Sequence, residues 1–221
     1  MTDAVSAAPS REHAMQEERI AQNFAAFEGY LARAQDYLTH GELDAAAVHC
    51  AVASHIPVQN HAGIFWSPRA EKVLAEIGSR LPFSPTPLRV KDYRRILQVG
   101  TQMAAVGGLT KMLGQWVAAD SEREHSLVLT QQHGPVPQFV TDSFGGRVTF
   151  LNRSPGGFVA WAARLRELAR DYDLVILHTH CEDVIPMIAF AQPAKHAPVL
   201  VLNHADHLFW FGPSISHLTI S

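Results

Sequence analysis

Cysteine is scarce: Cys50 and Cys181 are the only two in 221 residues. Two thiols make no disulfide framework, and a reducing compartment is the simpler setting. Long apolar runs are missing as well, since none approaches the ~20 residues needed to span a bilayer. Residues 1–15 lack the apolar core of a signal peptide; their Ala, Ser, Pro and charges predict a frayed tail. Charge of one sign is also lacking. Eighteen basic and 21 acidic side chains leave a net −3, which gives no basic patch to hold nucleic acid. These absences predict a cytoplasmic protein that neither spans a membrane nor binds nucleic acid.

The standard nucleotide fingerprints are absent too. There is no G-x-G-x-x-G, and the second apolar run of the carboxy-terminal part ends in Thr130-Gln131-Gln132, where a ribose-binding acid belongs. There is no G-x-x-x-x-G-K-[ST] either. A dinucleotide oxidoreductase and a P-loop nucleotidase are both disfavoured.

What is present is ample core material, 47% hydrophobic, in two unlike parts. Residues 16–81 read as helical. Ile20, Phe24, Phe27, Leu31 and Leu38 recur at helical spacing. Gly41, Leu43, Ala46, Ala53 and Pro57 then follow a spacing close to that of a tetratricopeptide helix pair. One such pair cannot bury its own apolar face and needs a neighbour. Ser67-Pro68 starts a third helix, running to about Arg80, with Ser as N-cap and Pro in the first turn. Residues 82–93 are Pro-rich, with Pro82, Pro85 and Pro87 stopping any helix.

From residue 94 the pattern alternates. Continuous apolar runs at Ile96–Val99, Ser126–Thr130, Val148–Leu151, Leu174–Leu177, Val199–Leu202 and Leu218–Ile220 suit buried parallel strands. Between them lie helical stripes: Leu109, Met112, Leu113, Trp116 and Val117, then Phe158, Trp161, Leu165 and Leu168 behind a Ser154-Pro155 cap. This predicts a Rossmann-like, doubly wound parallel α/β sheet. A strand finishing at Ser221 with no helix after it predicts an open sheet face and an incomplete unit, either a piece of a longer chain or a product that needs a partner.

Three motifs directly follow apolar runs. Gly107 and Gly108, with Lys111 one turn on, open a helix whose amides suit an anion or a sugar phosphate; the plainer alternative is a tight strand–helix turn. His178, His180, Glu182 and Asp183 follow the fourth run, and Asn203, His204, Asp206 and His207 the fifth. Imidazoles there serve as acid, base or polar clamp near neutral pH, or as metal ligands beside the carboxylates, although no H-E-x-x-H spacing singles out a metal. With the usual strand order all three loops meet at one crevice, outside the carboxyl ends of the strands. His40, His49, His55 and His61 fall on different helix faces and read as surface or core residues. Phe209-Trp210-Phe211 reads as packing, or as an apolar wall for a sugar ring.

These stretches resemble the amino-terminal half of retaining glycosyltransferases of the two-Rossmann GT-B fold. Arg95–Trp116 is similar to their opening strand, glycine loop and helix; Asp173–His180 is similar to their fourth strand; Pro198–Asp206 is similar to their fifth. Asn60–Pro68, at the end of the helical prefix, also looks like the preface some bacterial members carry. The resemblance covers about residues 94–221. It implies an acceptor-side domain acting with a nucleotide-sugar donor and an acceptor, without metal or other cofactor. It places Gly107 and Gly108 against the donor's phosphates or sugar and His204 near the reacting sugar as the catalytic residue. Ala205 departs from the pattern and leaves the partner role open between Asp206 and His207. The substrate-binding set is then Gly107, Gly108, Lys111, His178, His180, Glu182, Asp206 and His207. The donor domain of the family is absent from these residues, so the expected chain is inactive without a carboxy-terminal domain. An open sheet edge and an orphan helix pair favour association with such a domain or with a second copy. Two other readings compete: a non-catalytic binding module, and a metal-dependent hydrolase built on the His/Asp cluster.

Overall fold

In a parallel sheet interior strands are usually covered by helices on both faces, so their apolar residues need not alternate. The computed structural model, which describes residues 11–82, 92–192, 196–205 and 207–221, has such a sheet. Its strands are β1 (Arg95–Gly100), β2 (Glu124–Leu129), β3 (Val148–Phe150), β4 (Leu174–His178), β5 (Val199–Leu202) and β6 (Leu218–Ile220). All pairs are parallel, in the order β3-β2-β1-β4-β5-β6. This is a Rossmann-like sheet, and its strand order reverses between β1 and β4.

The helices are α1 (Arg11–Thr39), α2 (Leu43–Gln59), α3 (Pro68–Ser79), α4 (Gly108–Ala119), α5 (Gln138–Ser143), α6 (Phe158–Ala169) and α7 (Val184–Ala189). The last four divide between the two faces of the sheet. Leu127 and Leu129 pack with Leu113, Val117, Val140 and Phe144 beneath α4 and α5. The opposite face (Leu97, Val99, Val175, Leu177, Val199 and Val201) joins α6, α7 and all three prefix helices in one continuous core. Beyond α4, the first face stays open over β4–β6 as a groove of about 410 Å³ whose walls include Tyr93, Trp116, Leu174, Leu200 and Leu218.

Specific polar contacts dock the prefix. The buried Glu71 of α3 accepts from Gly212 N at 2.8 Å and Ser214 N at 3.0 Å. The buried Arg166 of α6 donates to the carbonyls of Ala189, Ile188 and Gly78, satisfying the last turns of both α7 and α3. Asp44 of α2 accepts from Val159 N at 3.0 Å and so caps α6.

Several local expectations change. Residues 11–15, expected in the tail, form the first turns of α1. Ser154-Pro155 does not cap α6, which starts at Phe158 behind Gly157; the cap comes from Asp44, distant in sequence. Phe209 and Phe211 are buried, with Phe209 against Phe27 at 5.9 Å, so they are core rather than a sugar-stacking wall. Ser67 does cap α3, accepting from Ala70 N, and Gly41 joins α1 to α2 at φ +80°. The Pro-rich linker falls mostly on residues 83–91, outside the described residues.

Candidate functional site

Thr101 and Thr130 stand immediately after β1 and β2, and Asp183 stands at the start of α7. Both hydroxyls donate to Asp183 Oδ2, at 2.6 and 2.5 Å, and Ile185 N donates to Oδ1 at 3.0 Å. Thr101 Oγ1 in turn accepts from His180 N at 2.8 Å. Two hydroxyls and an amide converging on one buried side chain is the environment a carboxylate needs. Burial pushes the Asp183 carboxyl above its ordinary range, and these three donors oppose that push. Asp183 thus ties together the loops after β1, β2 and β4 at the point where strand order reverses.

Over this clamp lies a cleft of about 370 Å³. Thr101, Gln102, Gln131, His180, Glu182 and Asp183 form its polar side. Val48, Ala51 and Val52 of α2, with Phe158 and Val184, form its apolar side. His55, also on α2, closes the cleft: its Nδ1 lies 3.5 Å from Glu182 Oε1. The helical prefix therefore builds one wall of the site.

His204 follows β5, next to His180. The residue is exposed overall but its ring is partly enclosed. That enclosure lowers its pKa below the ordinary imidazole value; the Leu202 carbonyl opposes the shift and the charge of His180 adds to it. His178 is fully buried at the end of β4, and burial, with a smaller push from His204, lowers it to about 4. An imidazole so held is neutral at pH 7 and keeps one bare nitrogen that can accept a hydrogen bond.

The structure thus gathers His178, His180 and His204 at the ends of adjacent strands, and places His180 and Glu182 in the cleft. Gly107, Gly108 and Lys111 lie on the exposed start of α4 rather than among the cleft residues; Val106 just before them is 91% exposed. Gly107 takes φ +153° with open space where a Cβ would stand, so conformation and not crowding favours glycine there. His207 is exposed and outside the cleft lining, and Asp206 falls outside the described residues. Among the described residues, no three His, Cys, Asp or Glu side chains are placed to hold a metal ion, and no helix is long and apolar enough to cross a membrane.

Sequence reasoning passed over Thr101, Thr130, Gln102, Gln131 and His55. A signal for His55 existed. Val48, Val52 and His55 share a second face of α2 at i, i+4 and i+7, away from the buried Ala46, Ala47 and Ala53; a helix apolar on more than one side has more than one neighbour.

No protein-family model and no curated protein matches the chain. Among solved structures it is similar to a mutant O-GlcNAc transferase of Thermobaculum terrenum, at 14% identity and a TM-score of 0.40. The alignment covers 86% of this chain, which spans 38% of that one. A likeness of this degree carries no residue's role across.

Proposed function

We propose that this chain supplies the acceptor side of a glycosyltransferase site, where a hydroxyl acceptor occupies the cleft and receives a sugar from a nucleotide-sugar donor. The carrying observation is the cleft itself: polar groups from three strand ends on one side, an apolar wall from α2 on the other, and His204 at its flank. The volume is that of a small-ligand site. In the proposed reaction the acceptor oxygen attacks the anomeric carbon as the bond from that carbon to the diphosphate breaks. His204, neutral at pH 7, takes the hydroxyl proton, and the nucleoside diphosphate leaves with the electron pair. His180, Gln102 and Gln131 hydrogen-bond the acceptor, Glu182 orients His55, and the amides of Gly107 and Gly108, with Lys111, face the donor's phosphates. His207 and Asp206 belong to the substrate-binding set through the resemblance alone. His178 acts from behind, without touching substrate.

NMR titration provides the test. Candidate acceptors, such as simple glycosides and Ser- or Thr-containing peptides, are expected to shift the His180 and His55 ring signals, and His180→Ala is expected to weaken binding at least tenfold. A nucleotide sugar that instead shifts those same signals, with no acceptor doing so, would place the donor in the cleft and refute the assignment.

A further inference from the structure

A polar line crosses the sheet beneath α4, where apolar packing would be expected. It begins at Asp120, which ends α4 at the amino-terminal edge of the strands. Asp120 Oδ2 lies 3.3 Å from Nε2 of the buried His125, a close polar contact off the axis of a well-aligned hydrogen bond. His125 Nδ1 meets Gln98 Nε2 at 3.1 Å, and Gln98 Oε1 meets His178 Nε2 at 2.7 Å. Gln98 and His178 are wholly buried, and His125 is 2% exposed. At the far end His178 Nδ1 is buried and has no hydrogen-bond partner among the described residues.

The direction of every link follows from one group. A carboxylate only accepts, so it draws the His125 proton to Nε2. The neutral ring then has a bare Nδ1, to which Gln98 must present its NH₂. The Gln98 oxygen is thereby turned toward His178, whose Nε2 must donate, leaving Nδ1 as a bare lone pair. Each amide or imidazole alone is ambiguous; the charge at the start of the line removes the ambiguity of all three.

We propose that Asp120 sets the hydrogen-bond polarity of His178 across the sheet, so that His178 keeps its buried Nδ1, near His204, as a bare acceptor nitrogen behind the crevice. The line is no proton wire, because the Gln98 amide would have to pass through its imidic acid form to carry one. It is a polarity relay. Protonating His125 on both nitrogens, or removing the Asp120 charge, lets Gln98 turn over, which makes Nε2 of His178 an acceptor and Nδ1 a donor. His125 is faced by Asp120 and Arg123 from the end of α4, with Glu124 beside it in β2, and Arg147 donates to its carbonyl from the loop before β3. His178 is faced by Trp116 of α4, edge-on at 5.8 Å, and by His204. Asp120, His125 and Gln98 are positioning residues, and the inference stands whatever reaction the crevice carries.

The test is the tautomer of each ring, read in the full ¹⁵N-labelled chain from long-range ¹H–¹⁵N correlations, with every imidazole assigned through its own backbone. At neutral pH both His125 and His178 are expected as the pure Nε2–H form. Asp120→Asn, an isosteric change, is expected to remove that uniqueness at His178. In the unaltered protein, acidification is expected to convert His178 to Nδ1–H in step with protonation of His125, which gives a readout that needs no variant to fold. A wild-type His178 bearing its proton on Nδ1, a His178 tautomer unmoved in folded Asp120→Asn, or one unmoved while His125 takes its second proton would each overturn the proposal.

Discussion

His178 shows what one buried imidazole does to stability. Its folded pKa of about 4 lies below the ordinary 6.5 because burial disfavours the charged ring. In the unfolded chain the same ring takes up a proton as pH falls below 6.5, so acid favours unfolding. The associated stability is complete above about pH 6.5 and is lost as pH falls toward 4. The gap corresponds to about 3 kcal/mol. Urea unfolding of the wild type and of His178→Gln, followed from pH 7 down to 4.5, is expected to show a steeper acid loss in the wild type. Parallel curves would mean that the ring takes up its proton within the folded state. His125, His196 and His204 are lowered in the same sense, chiefly by burial, and are present in both proteins.

At the scale of elements, two glycines in helices give opposite answers to the same substitution. Gly29 lies on the exposed side of α1 with nothing near the position of a Cβ. Gly29→Ala is expected to stabilise by about 0.5–1 kcal/mol, since alanine loses less backbone entropy. Gly78 ends α3 where it crosses α7. A Cβ there would fall onto the Ile188 carbonyl oxygen and stand 2.5 Å from Ala191 Cβ. That carbonyl is held by Arg166 at 2.9 Å and has little room to retreat. Overpacking of about 1–3 kcal/mol outweighs the propensity gain, so Gly78→Ala is expected to destabilise. Thermal melts of the two variants decide it, and an unchanged or higher Tm for Gly78→Ala would show that α3 and α7 are free to part.

For the whole molecule, the question is whether the sheet and its own helices stand without the prefix. Phe209 packs on Phe27, Glu71 holds the 212–214 turn, and Asp44 caps α6. Removing α1–α3 uncovers a core in which each large apolar side chain contributes about 1.5–3 kcal/mol, against a typical domain stability of about 5–15. A protein of residues 92–221 is therefore expected to bind a hydrophobic dye and to lose its cooperative unfolding transition. A cooperative melt at the midpoint of the full chain would show that the prefix is an independent unit.

The sequence alone determined the class of fold, because unbroken apolar runs separated by amphipathic stripes leave a parallel sheet with helices on both faces as the economical way to bury them. It also placed His178, His180 and His204 at or just past the ends of their strands, since strand ends are marked by the change from apolar to polar residues. Local signals such as Ser67-Pro68 and Gly41 were legible because cap and turn need only neighbours in the chain. Tertiary structure alone decided the rest. Thr101, Thr130 and Asp183 meet only because β1, β2 and β4 lie side by side. Asp44 displaced Ser154 as the cap of α6, and His55 reached Glu182, only after α2 docked on α6. Those contacts join residues far apart in sequence, and the chemistry of either partner is the same whether or not the other is near. Asp120 and His178 are the extreme case: one carboxylate orders an imidazole at the other edge of the sheet through two side chains that no local pattern connects.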